Sequence, residues 1–337
     1  MAIIREFKWS LLIAIIGVAL GFAVGFRDGG AFDAGLRAAF LTLVLGVLEV
    51  SLSFDNAVVN ASVMEDMPPV WRRRFLTWGM LVAVIGVRLL LPVTIVSAIA
   101  RVSPIKAIEM ALYLPTHYHL ILESAHISIS GFGGAFLLTV AFQFFFDESK
   151  EVHWVHAIEA PLARLGLLHS FELALSALIT YVVCCFLPSG DQAQFLVAAL
   201  LGILTHSAIN GITRFISPRQ IAAAGFSTFL YLEVLDASFS FDGVIGAFAL
   251  TNNILIIFLG LGIGAMFVRS LTIYMVNKKA LAKFIFLEHG AFYSIAAFAV
   301  LMLLQTLITV PEAVMGLLSA VFIGLSLISS LRHQHDV

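Results

Sequence analysis

The stretch EVSLSFDNAV, residues 49–58, sets two carboxylates, Glu49 and Asp55, inside an apolar run. The stretch DASFSFDGVI, residues 236–245, does the same with Asp236 and Asp242. Both read acid, any residue, Ser, any residue, Ser, Phe, Asp. The surroundings identify the solvent. Of 337 residues, 61% are hydrophobic and 12% are charged, with a mean hydropathy of +1.02. A soluble domain carries roughly 25% charged residues, so this chain belongs in a bilayer. The net charge of −2 offers no basic field for nucleic acid. The two cysteines, Cys184 and Cys185, are adjacent in an apolar run, which suits small core residues and not a disulfide framework or zinc site.

A spanning helix needs about 20 mostly apolar residues. Such stretches lie near 9–26, 38–64, 75–99, 120–146, 168–187, 193–213, 223–250, 254–276, 290–308 and 313–331. The expected fold is therefore all-α, a polytopic transmembrane bundle of about ten helices. The first stretch follows Arg5 and Lys8 as a signal peptide would, but no small-x-small cleavage site precedes Arg27, so it reads as a retained helix. Loop charge sets the orientation. Arg5, Lys8, Arg72, Arg73, Arg74, Lys150, Arg164, Arg214, Arg219, Lys278, Lys279, Lys283 and Arg332 fall on one side, against Arg27, Arg37, Arg101 and Lys106 on the other. The positive-inside rule then places both termini in the cytoplasm and the chain in the cell (inner) membrane.

In that topology the helix carrying Glu49 and Asp55 runs inward, and the one carrying Asp236 and Asp242 runs outward. The two copies are thus inverted-topology repeats, an arrangement of transporters that bind substrate near the midplane. The expected segments are 1–37, an amino-terminal helix and loop; 38–150, the first repeat; 151–222, a linking loop and helices; 223–308, the inverted second repeat; and 309–337, a final helix and tail. Each charged carboxylate at a helix centre is disfavoured by roughly 2.5–3.5 kcal/mol unless it is paired, protonated or metal-bound. At 100° per residue, Glu49, Ser53, Asn56 and Asn60 fall within about 60° of one another, with Asp55 about 120° away. Glu233, Asp236, Ser240 and Gly243 likewise share a stripe, with Asp242 off it. If one ion touches both acids of a copy, the helix is expected to break near 53–56 and near 240–243, which a cavity-lining segment tolerates. The alternatives are two separate ligand sets, or one acid in the site and one shuttling protons.

Carboxylates, amides and hydroxyls are hard oxygen donors, suited to Mn²⁺, Mg²⁺ or Ca²⁺. The segment LEVSLSFDNAVVNA, residues 48–61, resembles the first signature of the TerC family within the LysE superfamily, and LEVLDASFSFDGVIGAFALTNN, residues 232–253, resembles the second. WRRRFLTWGMLVAVIGVRLLLP, residues 71–92, is similar to the basic loop and helix that follow the first signature. The second signature usually continues Asp-Ser-Ile-Pro; here Gly243, Val244 and Ile245 follow Asp242, as in a divergent branch. The resemblance implies efflux of manganese and related divalent cations, with Glu49, Asp55, Asn56, Asp236 and Asp242 lining the metal path.

Glu123 and His126, read as opening the fourth helix on one face, are candidate gate or proton-relay residues, as are Glu233, Arg88 and Asn60. Arg88 and Arg269 lie within helices, where pairing with an acid or snorkelling would accommodate them. His206 and Asn210, one turn apart, suit interhelical hydrogen bonds. The loop FDESKEVHW, residues 146–154, reads as solvated. No nucleophile–base pair, phosphate loop or zinc-protease motif argues for an enzyme, and no prosthetic group is implied. The leading expectation is a proton-coupled divalent-cation exporter whose partners are metal ions, protons and lipid. The alternatives are an exporter of an amino acid or other small solute, and a non-transporting membrane protein with a structural metal site.

Overall fold

The structure is a computed structural model. It describes residues 2–65, 67–79, 81–168, 170–215 and 221–336, and among them no strand occurs. The side chains of Phe241 and Asp242 lie outside the described residues. Backbone polar groups in lipid must be satisfied internally, so an apolar chain of this kind folds as helices. In chain order these are α1 (Ala2–Gly29), α2 (Phe32–Leu52), α3 (Phe54–Glu65), α4 (Pro69–Arg74), two π-helical stretches (Phe75–Gly79 and Val82–Leu90), α5 (Leu91–Ala100), α6 (Pro104–Tyr113), α7 (Pro115–Ser124), α8 (His126–Phe145), α9 (His156–Leu165), α10 (Phe171–Phe186), α11 (Ser189–Phe215), α12 (Ile221–Leu250), α13 (Ile254–Lys278), α14 (Ala280–Lys283), α15 (Leu287–Leu304) and α16 (Glu312–Asp336).

Among the described residues, eight helices are long and apolar enough to cross a membrane, so the chain is a membrane-embedded helical bundle. Of the remaining expected spans, 168–187 is the 16-residue α10, about 24 Å long against a hydrocarbon core of about 30 Å. The other, 223–250, is the 30-residue α12.

The helices fall into two compact units, and neither is a continuous stretch of chain. One comprises Met1–Ala57, Arg73–Ala125 and Phe239–Tyr274; the other comprises Val58–Arg72, His126–Ser238 and Met275–Val337.

In the first unit, α1 carries glycines at four-residue spacing: Gly21, Gly25 and Gly29 face α2, and Gly17 faces Ile263 of α13. A Cβ at Gly25 would run into Ala38 and the Ala34 carbonyl, so only glycine lets the two backbones come this close. The same logic joins α2 to α13. A Cβ at Gly260 would lie 2.5 Å from Leu45 Cβ, and one at Gly264 would lie 2.9 Å from the Gly46 carbonyl. Far from these contacts, Ile15, Phe40 and Val47 are exposed, as lipid-facing side chains are.

The span expected at 75–99 contains the π-helical turns. Pro92, at the start of α5, has no N–H to offer the carbonyl one α-turn back, which favours a shifted register before it.

In the second unit, α8 is the hub. Gly134 admits Leu303 of α15, whose Cδ2 would lie 2.8 Å from an added Cβ, and Gly131 admits Phe195 of α11. His206 Nε2 and Gln143 Oε1 are 2.7 Å apart, and Asn210 Nδ2 donates to the same oxygen at 3.0 Å. These are the interhelical bonds expected of His206 and Asn210.

One expectation needs correction. The stretch at 120–146 is not one helix opened by Glu123 and His126: α7 ends at Ser124 and α8 begins at His126. Glu123 is largely exposed and lies 3.9 Å from His119, while His126 Nε2 lies 3.3 Å from Ser130 Oγ. The loop 146–154 exposes Asp147, Glu148 and Glu151, as expected of a solvated segment, and α9, which follows it, buries Glu159.

Candidate functional site

The first motif sits where α2 gives way to α3. Ser53, at φ −107° and ψ 16°, leaves helical geometry for one residue, and its N–H still reaches the Glu49 carbonyl at 3.0 Å. The expected interruption near 53–56 is therefore present as a single-residue step. Its consequence is electrostatic. Asp55 falls in the first turn of α3, where the positive end of the helix dipole favours a carboxylate. Asp55 is fully buried, and its Oδ1 accepts the Asn56 backbone N–H at 2.9 Å.

Glu49, one turn earlier, is 1% exposed. Its Oε1 accepts the Ser53 hydroxyl at 3.0 Å and is paired with the Arg88 guanidinium, itself buried. Arg88 also donates from Nη1 to the Ala83 carbonyl at 2.7 Å, so the π-helical turn that carries it also anchors it. A Cβ at Gly264 would lie 2.5 Å from Glu49 Cγ, and one at Gly243 would lie 3.1 Å from Glu49 Oε2. The glycine at 243, a departure from the TerC-like signature, thus stands beside a carboxylate that needs the room. Arg269 is bonded to a backbone carbonyl: its Nε donates to the Leu76 carbonyl at 2.8 Å.

The second motif behaves differently. α12 runs unbroken through residues 240–243, so the interruption expected there is absent. On a continuous helix, positions 236 and 242 face directions about 120° apart. Asp242 was expected to line the metal path; its side chain lies outside the described residues. Asp236 is 9% exposed and Ser240 is 1% exposed. Glu233 is 7% exposed, and neither carboxylate oxygen has a hydrogen-bond partner among the described residues. It precedes Asp236 by three residues, so two acids share one buried helix face. On α3, Asn60 is buried and its Oδ1 also lacks a hydrogen-bond partner.

Among the described residues, no three His, Cys, Asp or Glu side chains converge into a metal-holding group. What the structure does assemble are two buried polar neighbourhoods. One is Glu49, Ser53, Asp55, Asn56 and Arg88 in the first unit; the other is Glu233 and Asp236 on the part of α12 in the second. Arg88 as the partner of Glu49 was one of two options open to the sequence. The close approach of Gly264 to Glu49 was missed, although the four-residue spacing of Gly260 and Gly264 on α13 was a readable signal.

A family model described as a protein of unknown function, DUF475, matches residues 54–337. No curated protein matches the chain, and no solved structure does. The matched region takes in Asp55, Arg88, Glu233 and the whole second motif, and on that extent the chain belongs to the DUF475 family.

Proposed function

We propose that this membrane protein exports a divalent metal cation, manganese foremost, in exchange for protons. The observation that carries the proposal is the carboxylate of Glu233. A buried carboxylate with no hydrogen-bond donor among the described residues, three residues from a second buried acid in a membrane helix, must hold a proton or meet a cation. A group that alternates between those states exchanges one for the other. The ligands offered by α3 and α12, carboxylates, an amide and hydroxyls, are hard oxygen donors. The likeness of both motifs to the TerC signatures supports the same reading.

In this cycle Asp55, Asn56 and Asp242 bind the ion, and Asp236 lines its path. Arg88 holds Glu49 when the ion has gone, so one carboxylate passes between a guanidinium and a metal. Glu233 and Asn60 relay the proton. The motif copies enter the bilayer with opposite polarity as inverted repeats, α10 and α12 complete ten crossings, and both termini lie in the cytoplasm of a cell (inner) membrane.

The test is flux through the purified chain in proteoliposomes, with internal Mn²⁺ and internal pH followed together. An opposing proton gradient is expected to drive Mn²⁺ movement, and Mg²⁺ and Ca²⁺ to compete. Mn²⁺ flux without proton movement removes the exchange. Absence of divalent flux returns the chain to the amino-acid exporter or structural-metal reading.

A further inference from the structure

Outside both motifs, the second unit holds a cavity of about 370 Å³ whose lining includes Ser62, Gln143, Phe144, Asp147, Asn210 and Glu288. These come from α3, α8, the loop after it, α11 and α15, so the cavity is a product of the fold and not of one segment. Its polar groups are pre-set. The Ser62 hydroxyl donates to Glu288 Oε1, and Ser149 donates to Asp147 Oδ1 from its backbone N–H at 2.9 Å and its hydroxyl at 2.6 Å. One oxygen of each carboxylate is thereby fixed, which orients the other. Asn210 commits Nδ2 to Gln143, which leaves its Oδ1 an acceptor.

A cation is already tethered beside these acids. The Lys150 ammonium lies 3.1 Å from the centre of the Phe144 ring and has no hydrogen-bond partner among the described residues. It feels the charges of Glu159, Glu288 and Asp147 without bonding to any of them. Size points to the ligand. A metal ion with six waters, at about 30 Å³ each, occupies about 180 Å³, which the cavity accommodates with its shell intact. Two carboxylates are too few to strip a hard divalent ion of its water, and Mg²⁺-like ions give up water reluctantly.

We propose that this cavity is a cation vestibule, holding a hydrated divalent ion through its water shell between Asp147 and Glu288, with Lys150 as the counterion that the ion displaces. The inference rests on the transport reading for its cargo, but its test does not need transport. Mn²⁺ binding is measured by EPR on the full-length chain in detergent, in a Glu233→Gln/Asp236→Asn/Asp242→Asn background that removes the three acids of α12. Binding is expected to persist there and to weaken on the order of tenfold for each of Asp147→Asn and Glu288→Gln. It should tighten severalfold in Lys150→Met. The inert hexaamminecobalt(III) ion, which cannot lose its shell, should displace the Mn²⁺.

Glu288→Gln keeps an acceptor for Ser62, and the melting temperature of each variant shows that it is folded. No Mn²⁺ binding in the background, affinity unchanged by both acid variants, unchanged affinity in Lys150→Met, or no displacement by hexaamminecobalt(III) would each overturn the vestibule. Failure of flux in the wild type, with this binding intact, would overturn the transport reading alone.

Discussion

Glu49 and Glu233 are both buried glutamates on long apolar helices that carry copies of one motif, and the fold treats them in opposite ways. Glu49 has a guanidinium, a hydroxyl and two glycines arranged around it. Glu233 has no hydrogen-bond donor among the described residues. The difference comes from outside the motif. Arg88 lies well after the first motif, on a π-helical turn, and the other arginine within a helix of the first unit's later segment, Arg269, is bonded to a backbone carbonyl. A repeated motif therefore fixes where acids stand, while residues between the copies decide which acid is neutralised within the protein and which needs an external cation or proton.

The contrast is most exposed at Glu233 and Asp236. Glu233→Gln and Asp236→Asn keep size and remove only ionisation, and each is expected to abolish Mn²⁺ flux in proteoliposomes. Glu233→Gln should also leave the melting temperature unchanged or raise it, because an unpartnered buried carboxylate contributes no hydrogen bond to lose. A variant that transports at the wild-type rate would make its acid structural and erase the distinction.

At Glu49 the expectation reverses. Arg88→Met strands a buried carboxylate, and removing one partner of a buried ion pair costs about 3–5 kcal/mol. Glu49→Gln in the same chain should restore most of that, since the remaining amide carries no charge. The double-mutant cycle, read by thermal unfolding in detergent, gives the coupling directly. Additive effects would show that Arg88 is held by the Ala83 carbonyl and packing alone, and that Glu49 is as unpaired in energy as Glu233.

How far the sequence reached follows the range of each signal. Apolar runs are local, so the helical bundle and most of its spans could be read directly. The step at Ser53 could be anticipated because acids on two faces of one helix conflict within a few residues; the same argument failed at 240–243, where α12 stays continuous. The π-helical turns depend on Pro92 acting one turn back, a weaker cue. Gly17, Gly21, Gly25 and Gly29 carried a plain packing signal that the hydropathy reading passed over. Glu159 carried none. It lies in a short helix beyond a loop rich in charge, and its partner His289 is far along the chain. A buried pair made by tertiary folding leaves no periodicity at either end.

That pair supplies the mildest test of the comparison, because its acid stands on α9, outside the candidate spans. Glu159 is 1% exposed; His289 Nδ1 donates to its Oε2 at 2.8 Å, and the Val155 N–H donates to Oε1 at 3.3 Å. Burial alone would push its carboxyl up, but the hydrogen bond and charge of His289, with the Val155 N–H and Lys150, hold it below the usual range. Glu159 is thus a Glu49 in miniature, a carboxylate with built-in partners, but one that solution pH can reach. A group whose pKa is lower folded than unfolded binds more protons in the unfolded chain, so its stabilisation is complete above the unfolded value, about 4.5, and fades as pH falls through the folded one. Wild type is expected to exceed Glu159→Gln in stability by roughly 1–3 kcal/mol near neutrality. That gap should close on acidification below about pH 4.5 and not on raising the pH from 7 to 8. Melting temperatures of both proteins across that range decide it. A gap that stays constant into acid would mean that Glu159 acts by shape alone, and that ionised partners matter only inside the membrane.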